Sequence, residues 1–428
     1  MELYGMCSGE QEDLCGRCRK HATIVVSRKE HFCKDCFLKF IRVKQRKQMK
    51  GDLYKVKFGK SEDEIKNKTV NLLFPFLFTQ SSLVLADALI YWLKEQVSMS
   101  SKAHVGFYLT IFFLGLDKPL ENVKQCMSSL ESRYGGAEML EELHISFTLA
   151  DGDTFISSNG SQEYLVSTAN EAFCINENVP KLKTLHEFFS NIGNPSSKEY
   201  FMDIVKDLII GDYCLKKHFS HVVLPYSMSE LAISTLSYTV GGSGERIGAV
   251  IGSKTREENS NTFDFLYPLR DVLQYEIEKY TDLCGTSGFV NENKGNALKS
   301  VRSKSMNELI GGYFGSIQGE YPEAVSTVVK IASKLSGPPN KKDFKKCQIC
   351  HNVVLDDPER WINGLTVLEG VPPSNEEEIE NLRRYKESSF AKEKECIPKD
   401  AERVTICYGC MVAIKSTGSS CLYWPTFV

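Results

Sequence analysis

Cysteine pairs are the residues of this sequence whose type and spacing point most directly to chemistry. Eight of the 15 cysteines occur in Cys-x-x-Cys pairs, which are Cys15/Cys18, Cys33/Cys36, Cys347/Cys350 and Cys407/Cys410. Repeated pairs of this kind indicate metal binding or redox chemistry in a reducing compartment rather than structural disulfides. Two pairs together supply the four thiolates that tetrahedral zinc prefers. The sequence therefore predicts one or two structural zinc ions.

The two N-terminal pairs are separated by 14 residues, close to the spacing of a zinc ribbon. Four thiolates leave no open coordination position, so the predicted zinc is structural. Its binding would stabilise a segment too small to form a core of its own. Two other interpretations remain: the pairs could be redox-active dithiols, or His31, beside the second pair, could replace one thiol.

The C-terminal pairs are separated by 56 residues, between Cys350 and Cys407. Such a long insert is compatible with one site because the entropy of loop closure grows only with the logarithm of loop length. We expect a second tetrathiolate zinc site, with His351 and Cys396 as alternative ligands.

A basic helix is predicted directly after the first site, over residues 37–50. Its apolar residues Phe37, Phe40 and Ile41 fit one helical face. Residues 1–60 have a net charge of +8, although the whole chain has −3. A solvated basic face is the simple interpretation, but beside a zinc ribbon we favour salt-sensitive phosphate contacts with a nucleic acid. The candidate binding residues are Arg28, Lys29, Lys39, Arg42, Lys44, Arg46 and Lys47.

The central region alternates apolar strand-like runs with helical patterns. Residues 70–78, 143–149 and 221–224 are typical of buried strands. Helical spacing follows the first run over 81–93 and recurs over 200–216 and 229–239. This alternation predicts an α/β fold with a doubly wound, mostly parallel sheet. Ligands of such sheets bind at the carboxyl ends of strands, so the turn over 78–82 is the place to look for a site.

Changes in composition divide the 428 residues into three predicted parts. They are a basic zinc-ribbon module over 1–60, an α/β domain over 68–335, and a zinc-binding module over 340–428. The last part contains an acidic, polar insert over 366–399, for which we expect a solvated loop with a short helix.

Bulk composition is that of a globular protein. Hydrophobic residues make up 42% of the chain, enough for a sizeable core. The first residues lack the features of a secretory signal, and no run reaches 18 uninterrupted apolar residues. We expect an intracellular, cytoplasmic protein that does not enter a membrane.

At this point the chain resembles a known family. The first cysteine pair, the segment VVSRKEHFCKDCFLKFIRVKQRKQ, an α/β region, PLRD at 268–271 and the terminal cysteine pairs follow the order of the cytoplasmic tRNA 2-thiolation protein 2 family. The resemblance implies the PP-loop (N-type ATP pyrophosphatase) fold. It also implies a role in 2-thiolation of the wobble uridine of cytosolic tRNA-Lys, tRNA-Glu and tRNA-Gln. The implied partners are tRNA, a related catalytic subunit in a heterodimer, and the thiocarboxylated ubiquitin-like protein that carries the sulfur.

The catalytic signature of that fold is degenerate here. An active PP-loop reads Ser-Gly-Gly-x-Asp-Ser, and its glycines let backbone amides close on pyrophosphate. The corresponding residues are Leu77, Phe78, Thr79, Gln80, Ser81 and Ser82. Both glycines are missing, Phe78 is expected to fill the space of a phosphate, and Ser81 occupies the acidic position. Ser81 or Ser82 is expected to cap the following helix.

The second signature is also incomplete. Active relatives place a His and paired acids after a later strand, whereas residues 224–232 contain Glu230 as their single carboxylate. We therefore expect a chain that does not bind ATP and has no catalytic residue of its own. The glycine-rich residues 240–247 could cradle a phosphate, but a mobile loop is the simpler expectation.

Three further hypotheses remain open. The chain itself could be an ATP-dependent tRNA-adenylating sulfurtransferase with a remodelled loop. It could be a zinc-dependent interaction module in the style of a RING ligase, although pairs so far apart do not cross-brace in sequence. Among the unpaired cysteines, Cys284 is the best candidate for a sulfur-transfer nucleophile, and an incidental cysteine is the alternative.

Overall fold

The structure is a computed structural model of the chain. It describes residues 14–49, 51–57, 69–99, 104–116, 118–150, 152–167, 171–179, 184–251, 255–258, 261–290, 303–317, 320–321, 323–335, 344–354, 375–387, 401–418 and 420–427. None of its described helices combines the length and the hydropathy of a segment that crosses a bilayer.

Strands and helices alternate along most of the chain. The strands are β1 (Val25–Ser27), β2 (Glu30–Phe32), β3 (Val70–Phe76), β4 (Phe107–Leu114), β5 (Ile145–Ala150), β6 (Ile156–Val166), β7 (Ala172–Val179), β8 (His221–Val223), β9 (Thr255–Glu258), β10 (Asn261–Leu266), β11 (Glu402–Arg403) and β12 (Cys421–Phe427). The α-helices are α1 (Lys34–Gln48), α2 (Gln80–Met99), α3 (Leu120–Tyr134), α4 (Gly136–Glu142), α5 (Leu185–Ser190), α6 (Pro195–Lys217), α7 (Met228–Val240), α8 (Gly244–Val250), α9 (Gln274–Cys284), α10 (Met306–Ile317), α11 (Ala324–Lys334), α12 (Glu376–Glu387) and α13 (Tyr408–Lys415).

A six-stranded sheet in the order β5-β4-β3-β8-β10-β9 forms the centre of the molecule. Its first five strands are parallel, and β9 pairs with β10 in the antiparallel sense. The direction of winding reverses between β3 and β8, so a topological switch point lies at their carboxyl ends. The expected doubly wound, mostly parallel α/β fold is confirmed. The expected turn after β3 lies at this switch point.

Two hydrophobic clusters cover the two faces of the sheet. One contains apolar residues of α2 and α9 together with Phe32, Phe37 and Ile41 of the N-terminal segment. The other contains residues of α6 and α7 together with Cys407 and Met411 of the C-terminal segment. Each cysteine-rich segment therefore shares a core with the α/β domain.

A second, four-stranded antiparallel sheet in the order β11-β7-β6-β12 was not anticipated from the sequence. Its strands come from two distant parts of the chain, because β12 pairs with β6 and β11 pairs with β7. Trp424 of β12 packs against Phe188 and Phe201, with ring centroids 5.6 and 5.7 Å apart. This sheet attaches the C-terminal segment to the α/β domain.

The predicted strands and helices are present, but some of them begin or end a few residues away from the predicted bounds. The strand expected over 70–78 stops at Phe76, because Phe78 adopts a φ of +57°. The helix expected over 200–216 begins at Pro195, since the Asn194 side chain accepts hydrogen bonds from two backbone amides there. In the acidic insert, α12 is the expected short helix, and its residues 376–384 are exposed. The composition changes at 58–64 and 336–340 lie outside the described residues, so the three-part division remains a prediction.

Glu276 of α9 fixes the N-terminal segment to the α/β domain. Its carboxylate is fully buried and accepts hydrogen bonds from Ser27 Oγ at 2.7 Å and from Lys44 Nζ at 2.9 Å. Arg28 Nε lies 3.3 Å away, and the backbone N–H of Leu273 donates at 2.9 Å. Burial lowers the pKa of Lys44, although Glu276 acts in the opposite direction. A buried carboxylate is tolerated here because several donors satisfy it.

Replacing Glu276 by Ala should therefore destabilise the protein strongly. The buried ammonium of Lys44 would lose its counter-ion, and removing one partner of a buried pair costs about 3–5 kcal/mol. Glu278→Ala, on the same helix but exposed, should change stability by less than about 0.5 kcal/mol. Urea denaturation of both variants measures the difference. Equal midpoints for the two variants would contradict this role of Glu276.

Candidate metal centres and the loop after β3

The N-terminal cysteines converge on one point. Cys33 is the N-cap residue of α1 and Cys36 lies in its first turn, while Cys15 and Cys18 lie on a separate turn. That turn is fixed to the β1–β2 hairpin through a hydrogen bond from Gly16 N–H to the His31 carbonyl at 2.9 Å. The four Sγ atoms lie within 4.8 Å of one another, and the His31 ring is not a member of this group.

Sulfur spacing distinguishes a metal site from a disulfide. Cys18 Sγ and Cys33 Sγ are 3.7 Å apart. A disulfide needs about 2.0 Å, whereas Zn–S bonds of about 2.3 Å in a tetrahedron place sulfurs about 3.8 Å apart. Against the effect of burial, backbone hydrogen bonds from Cys18, Cys33 and Arg17 lower the pKa of Cys15, whereas burial and the neighbouring thiols raise the pKa of Cys36. The donors and their geometry fit a tetrahedral, thiolate-preferring metal ion.

The C-terminal cysteines form a second group of the same kind. Cys347 and Cys350 lie on a knuckle closed by the bridge between Lys346 and Val353, while Cys407 is the N-cap residue of α13 and Cys410 lies in its first turn. All four Sγ atoms lie within 4.8 Å of one another, and Cys350 Sγ is 3.6 Å from Cys407 Sγ. The 56-residue insert therefore does not prevent the pairs from meeting.

Of the two alternative ligands, His351 lies among the described residues and does not belong to this second group. His351 adopts a φ of +56° directly after Cys350, and its ring is not part of the group. Cys396 lies outside the described residues. The second group differs from the first in burial, since all four of its cysteines are buried, whereas Cys18 and Cys36 are half-buried.

The α/β domain contacts the second group closely. Tyr200 of α6 places its hydroxyl 3.6 Å from Cys410 Sγ, and Ser243 Oγ donates to that hydroxyl at 3.0 Å. Gly409 is required at this point, because a Cβ there would lie 1.7 Å from Ser243 Oγ. A Cβ at Gly242 would likewise lie 2.6 Å from the Tyr408 ring. The glycine-rich residues 240–247 are thus not the expected mobile loop but a packed contact, and helix α7 rather than a strand precedes them.

The loop after β3 closes on its own side chains. Ser82 Oγ accepts the Leu77 N–H at 3.2 Å, and Thr79 Oγ1 accepts the Ser82 N–H at 3.2 Å. The helix begins at Gln80, so Thr79 is its cap rather than the expected Ser81 or Ser82. In a phosphate-binding loop such amides point at the ligand. Here two of the loop amides donate to side chains of the loop itself.

The side chains of Phe78 and Ser81 in the same loop also make contacts within the protein. Phe78, 6% exposed, packs its ring against Phe76 and Phe113, at centroid distances of 5.2 and 6.2 Å. Ser81 Oγ donates to Glu230 Oε2 at 2.7 Å, and Glu230 also completes the capping box of α7 with Ser227. The two degenerate signatures therefore contact each other. That Phe78 excludes a phosphate remains a prediction.

The basic residues of the N-terminal segment divide into two groups. Arg42 pairs with Asp87 at 3.0 Å and lies over the Tyr91 ring, while Lys44 pairs with Glu276. Both side chains are at most 17% exposed, so they are not part of the solvated basic face expected for this helix. Arg28 is exposed but donates to the Asp271 carbonyl within the PLRD segment. Lys29, Lys39, Arg46 and Lys47 are the exposed candidates, and the Arg46 guanidinium also lies over the Trp92 ring of α2 at 4.7 Å.

Cys284 ends helix α9 in a half-buried position. Burial raises the pKa of its thiol, and the nearby Asp87 raises it further, although Arg42 and Arg133 act in the opposite direction. A sulfur-transfer nucleophile needs a lowered pKa. The environment of Cys284 favours the neutral thiol instead.

Comparison with known proteins finds a family model and relatives that carry the same family name. The family model described as "Cytoplasmic tRNA 2-thiolation protein 2" matches residues 305–412. Proteins of that name from Debaryomyces hansenii and Kluyveromyces lactis are 31% and 28% identical to this chain. The first alignment covers 96% of this chain and 91% of the relative, and the second covers 96% and 94%.

One similar solved structure is the U34-tRNA thiolase NcsA from Methanococcus maripaludis, determined with its 4Fe–4S cluster. It superposes with a TM-score of 0.51 at 13% identity, over 83% of this chain and 97% of that chain. At this identity the likeness shows a shared fold and nothing more. The fold is the PP-loop type that the family resemblance implied.

Metal analysis tests the two centres. We expect two metal ions per chain, with one lost in Cys15→Ser and one lost in Cys350→Ser. The second variant should also lower the melting temperature more, because its site is buried in the shared core. Cys421→Ser, outside both groups, should retain two ions. Native mass spectrometry gives the count, and fewer than two ions in the unmodified chain would contradict the second centre.

Proposed function

Because the chain belongs to the cytoplasmic tRNA 2-thiolation protein 2 family, we propose that it is the non-catalytic subunit of a two-protein tRNA thiolase. The family links it to tRNA 2-thiolation, and relatives named as cytoplasmic proteins confirm the expected localisation. The proposal concerns the division of labour: this subunit holds tRNA and supports a catalytic homologue.

One observation carries the assignment of a non-catalytic role. The loop after β3 occupies the switch point at which PP-loop proteins bind nucleotide, yet it has no glycine and binds two of its own amides internally through Thr79 and Ser82. Ser81, at the position of the acid, is bonded to Glu230. A nucleotide would have to break these bonds before it could use the amides. ATP is therefore not expected to bind this chain.

The proposed metal is zinc at both cysteine groups. Zinc is redox-silent and prefers four sulfur ligands at the spacing seen here. With four thiolates in each group, no coordination position is open to substrate, and the proposed role of the metal is structural. Cys33 and Cys407 each precede a helix, so each metal would fix the start of α1 or α13.

The proposed tRNA surface is the exposed side of α1 and the β1–β2 hairpin. The buried stripe of α1 consists of Phe37, Leu38, Ile41 and Gln45, which recur at helical spacing. Lys39, Arg46 and Lys47 lie away from this stripe, and Lys29 lies on the hairpin. Cations presented in this way bind phosphates without reading sequence. Arg42 and Lys44 would act indirectly by holding the helix in place, and Arg28 has both an internal contact and an exposed part.

The proposed partner supplies the complete PP-loop that this chain lacks. A related PP-loop subunit with a complete loop would activate the wobble uridine of tRNA-Lys, tRNA-Glu and tRNA-Gln and accept sulfur from the ubiquitin-like carrier. In this scheme the present chain delivers tRNA to that active site. The alternatives, an adenylating enzyme or a zinc-dependent interaction module, make different predictions for the isolated chain.

Nucleotide assays separate these alternatives. The purified single chain should not bind ATP at micromolar concentration and should not release pyrophosphate when tRNA is added, because its loop offers no phosphate site. The complex with the catalytic homologue is the positive control. Pyrophosphate release by the single chain that depends on tRNA would overturn the non-catalytic assignment.

Charge reversal tests the tRNA surface. The triple variant Lys39→Glu, Arg46→Glu and Lys47→Glu should bind tRNA more weakly, and the slope of its salt dependence should fall by about one unit for each phosphate that is no longer neutralised. Lys330→Glu, an exposed cation on α11, is the control and should bind normally. Filter binding at several salt concentrations gives both quantities. Co-purification with the catalytic homologue should survive, and unchanged tRNA binding by the triple variant would contradict the proposed surface.

A further inference from the structure

The C-terminal cysteine group has an electrostatic problem that the N-terminal group lacks. If it holds the divalent ion proposed above, four thiolates and the ion together carry a net charge of −2. Cys347, Cys407 and Cys410 are at most 1% exposed, and Cys350 is 9% exposed. Burying a dianion is costly unless nearby groups donate hydrogen bonds or positive charge. The surroundings of the group must therefore supply compensation.

Neutral donors supply part of it. Asn352 Nδ2 donates to Cys350 Sγ at 3.4 Å. Ser243 donates to the oxygen of Tyr200, which leaves the Tyr200 hydrogen available for Cys410 Sγ at 3.6 Å. Cys407 and Cys410 also lie at the N-terminus of α13, where the helix dipole is positive. None of these groups carries a formal charge.

Arg246 on α8 is a buried cation next to Tyr200, the residue that contacts Cys410. It is 3% exposed, and its Nε and Nη1 atoms have no hydrogen-bond partner among the residues that the structure describes. Its carboxylate contact is long, from Nη2 to Asp207 Oδ2 at 3.4 Å. A buried guanidinium with two unmatched nitrogens is unfavourable unless negative charge lies nearby.

Tyr200 connects this cation to the sulfurs. The Arg246 guanidinium lies over the Tyr200 ring at 5.6 Å and over the Tyr238 ring at 5.2 Å. The hydroxyl of the same Tyr200 contacts Cys410 Sγ. Tyr200 therefore spans the distance between the guanidinium and the cysteine group.

We propose that Arg246 is the counter-charge of the C-terminal metal–tetrathiolate, a positioning residue that retains the metal through the Tyr200 bridge. The relation is reciprocal. The metal-bound thiolates neutralise a guanidinium that is otherwise poorly compensated, and the guanidinium stabilises thiolates that are otherwise buried without positive charge. This inference rests on the metal occupancy proposed above and adds how the α/β domain controls it.

The N-terminal group provides the contrast. Its nearby cation, Arg17, has a side chain that is 47% exposed and pairs with Glu30 at 2.9 Å. Water reaches Cys18 and Cys36, which are half-buried, so solvent can stabilise the charge of that site. The C-terminal metal should therefore depend on its protein cation, and the N-terminal metal should not.

Release of metal from the full-length chain tests the proposal. Zinc-loaded protein is mixed with an excess of a colorimetric chelator, and the two sites are followed as two kinetic phases assigned with Cys15→Ser and Cys350→Ser. Arg246→Met should accelerate release from the C-terminal site about 10- to 100-fold, the usual effect of losing a group that supports metal ligands. Arg246→Lys keeps the charge and should stay close to the unmodified chain. Arg17→Met is the matched control and should release both metals at the normal rates.

Cobalt substitution separates an electrostatic role from misfolding. Arg246→Met loaded with Co(II) should still give the absorption of a four-sulfur site, which shows that the cluster forms. Normal retention in Arg246→Met, or equally fast release in Arg246→Met and Arg246→Lys, would overturn the role of Arg246. An unmodified chain that binds no metal at the C-terminal site would instead overturn the metal assignment itself, and Arg246 with it.

Discussion

The buried carboxylate of Glu276 determines how the N-terminal segment relates to the rest of the protein. A cysteine-rich segment of this size has too few apolar residues to fold by itself, so it must share a core and must be held in one orientation. Glu276 provides the orientation by drawing Ser27, Lys44 and Arg28 toward α9. The side of α1 that carries Lys39, Arg46 and Lys47 consequently faces outward. An interior ion pair thus decides which cations are available at the surface.

The two cysteine groups are alike in ligands and different in setting. The first lies at the periphery, with two of its cysteines partly accessible, and organises a hairpin and a helix. The second lies inside the core, where Cys410 contacts Tyr200 of α6 and Cys407 caps α13. Tight approaches at Gly409 and Gly242 show that its surroundings tolerate little added volume. The second group is therefore as much a part of the α/β domain as of the C-terminal segment.

Much of this arrangement could be read from the sequence, for identifiable reasons. The four Cys-x-x-Cys pairs carry their ligand geometry in local spacing, and the central strands are continuous apolar runs because they are buried on both faces. The antiparallel sheet was missed because β6 contains many polar residues, while β12 is remote from β6 in sequence and contains a proline. Thr79 was missed as the cap because helix ends shift by a residue or two in pattern-based assignments. Glu276, Tyr200 and Arg246 carry no local signal at all, since only the fold brings a charged or hydroxyl group against a partner far away in the sequence.

The pairing of β12 with β6 has a consequence for how the protein is made. Cys421 lies opposite Leu165 in this ladder, and β11 reaches back to β7 in the same way. Contacts between such distant residues form slowly, because the intervening chain must first be closed into a loop. During synthesis, the β6–β7 hairpin must wait with an unpaired edge until residues 402–427 have left the ribosome. An exposed strand edge is a template for association with other chains. While β12 is undocked, the nascent chain therefore exposes a strand edge that can pair with other chains.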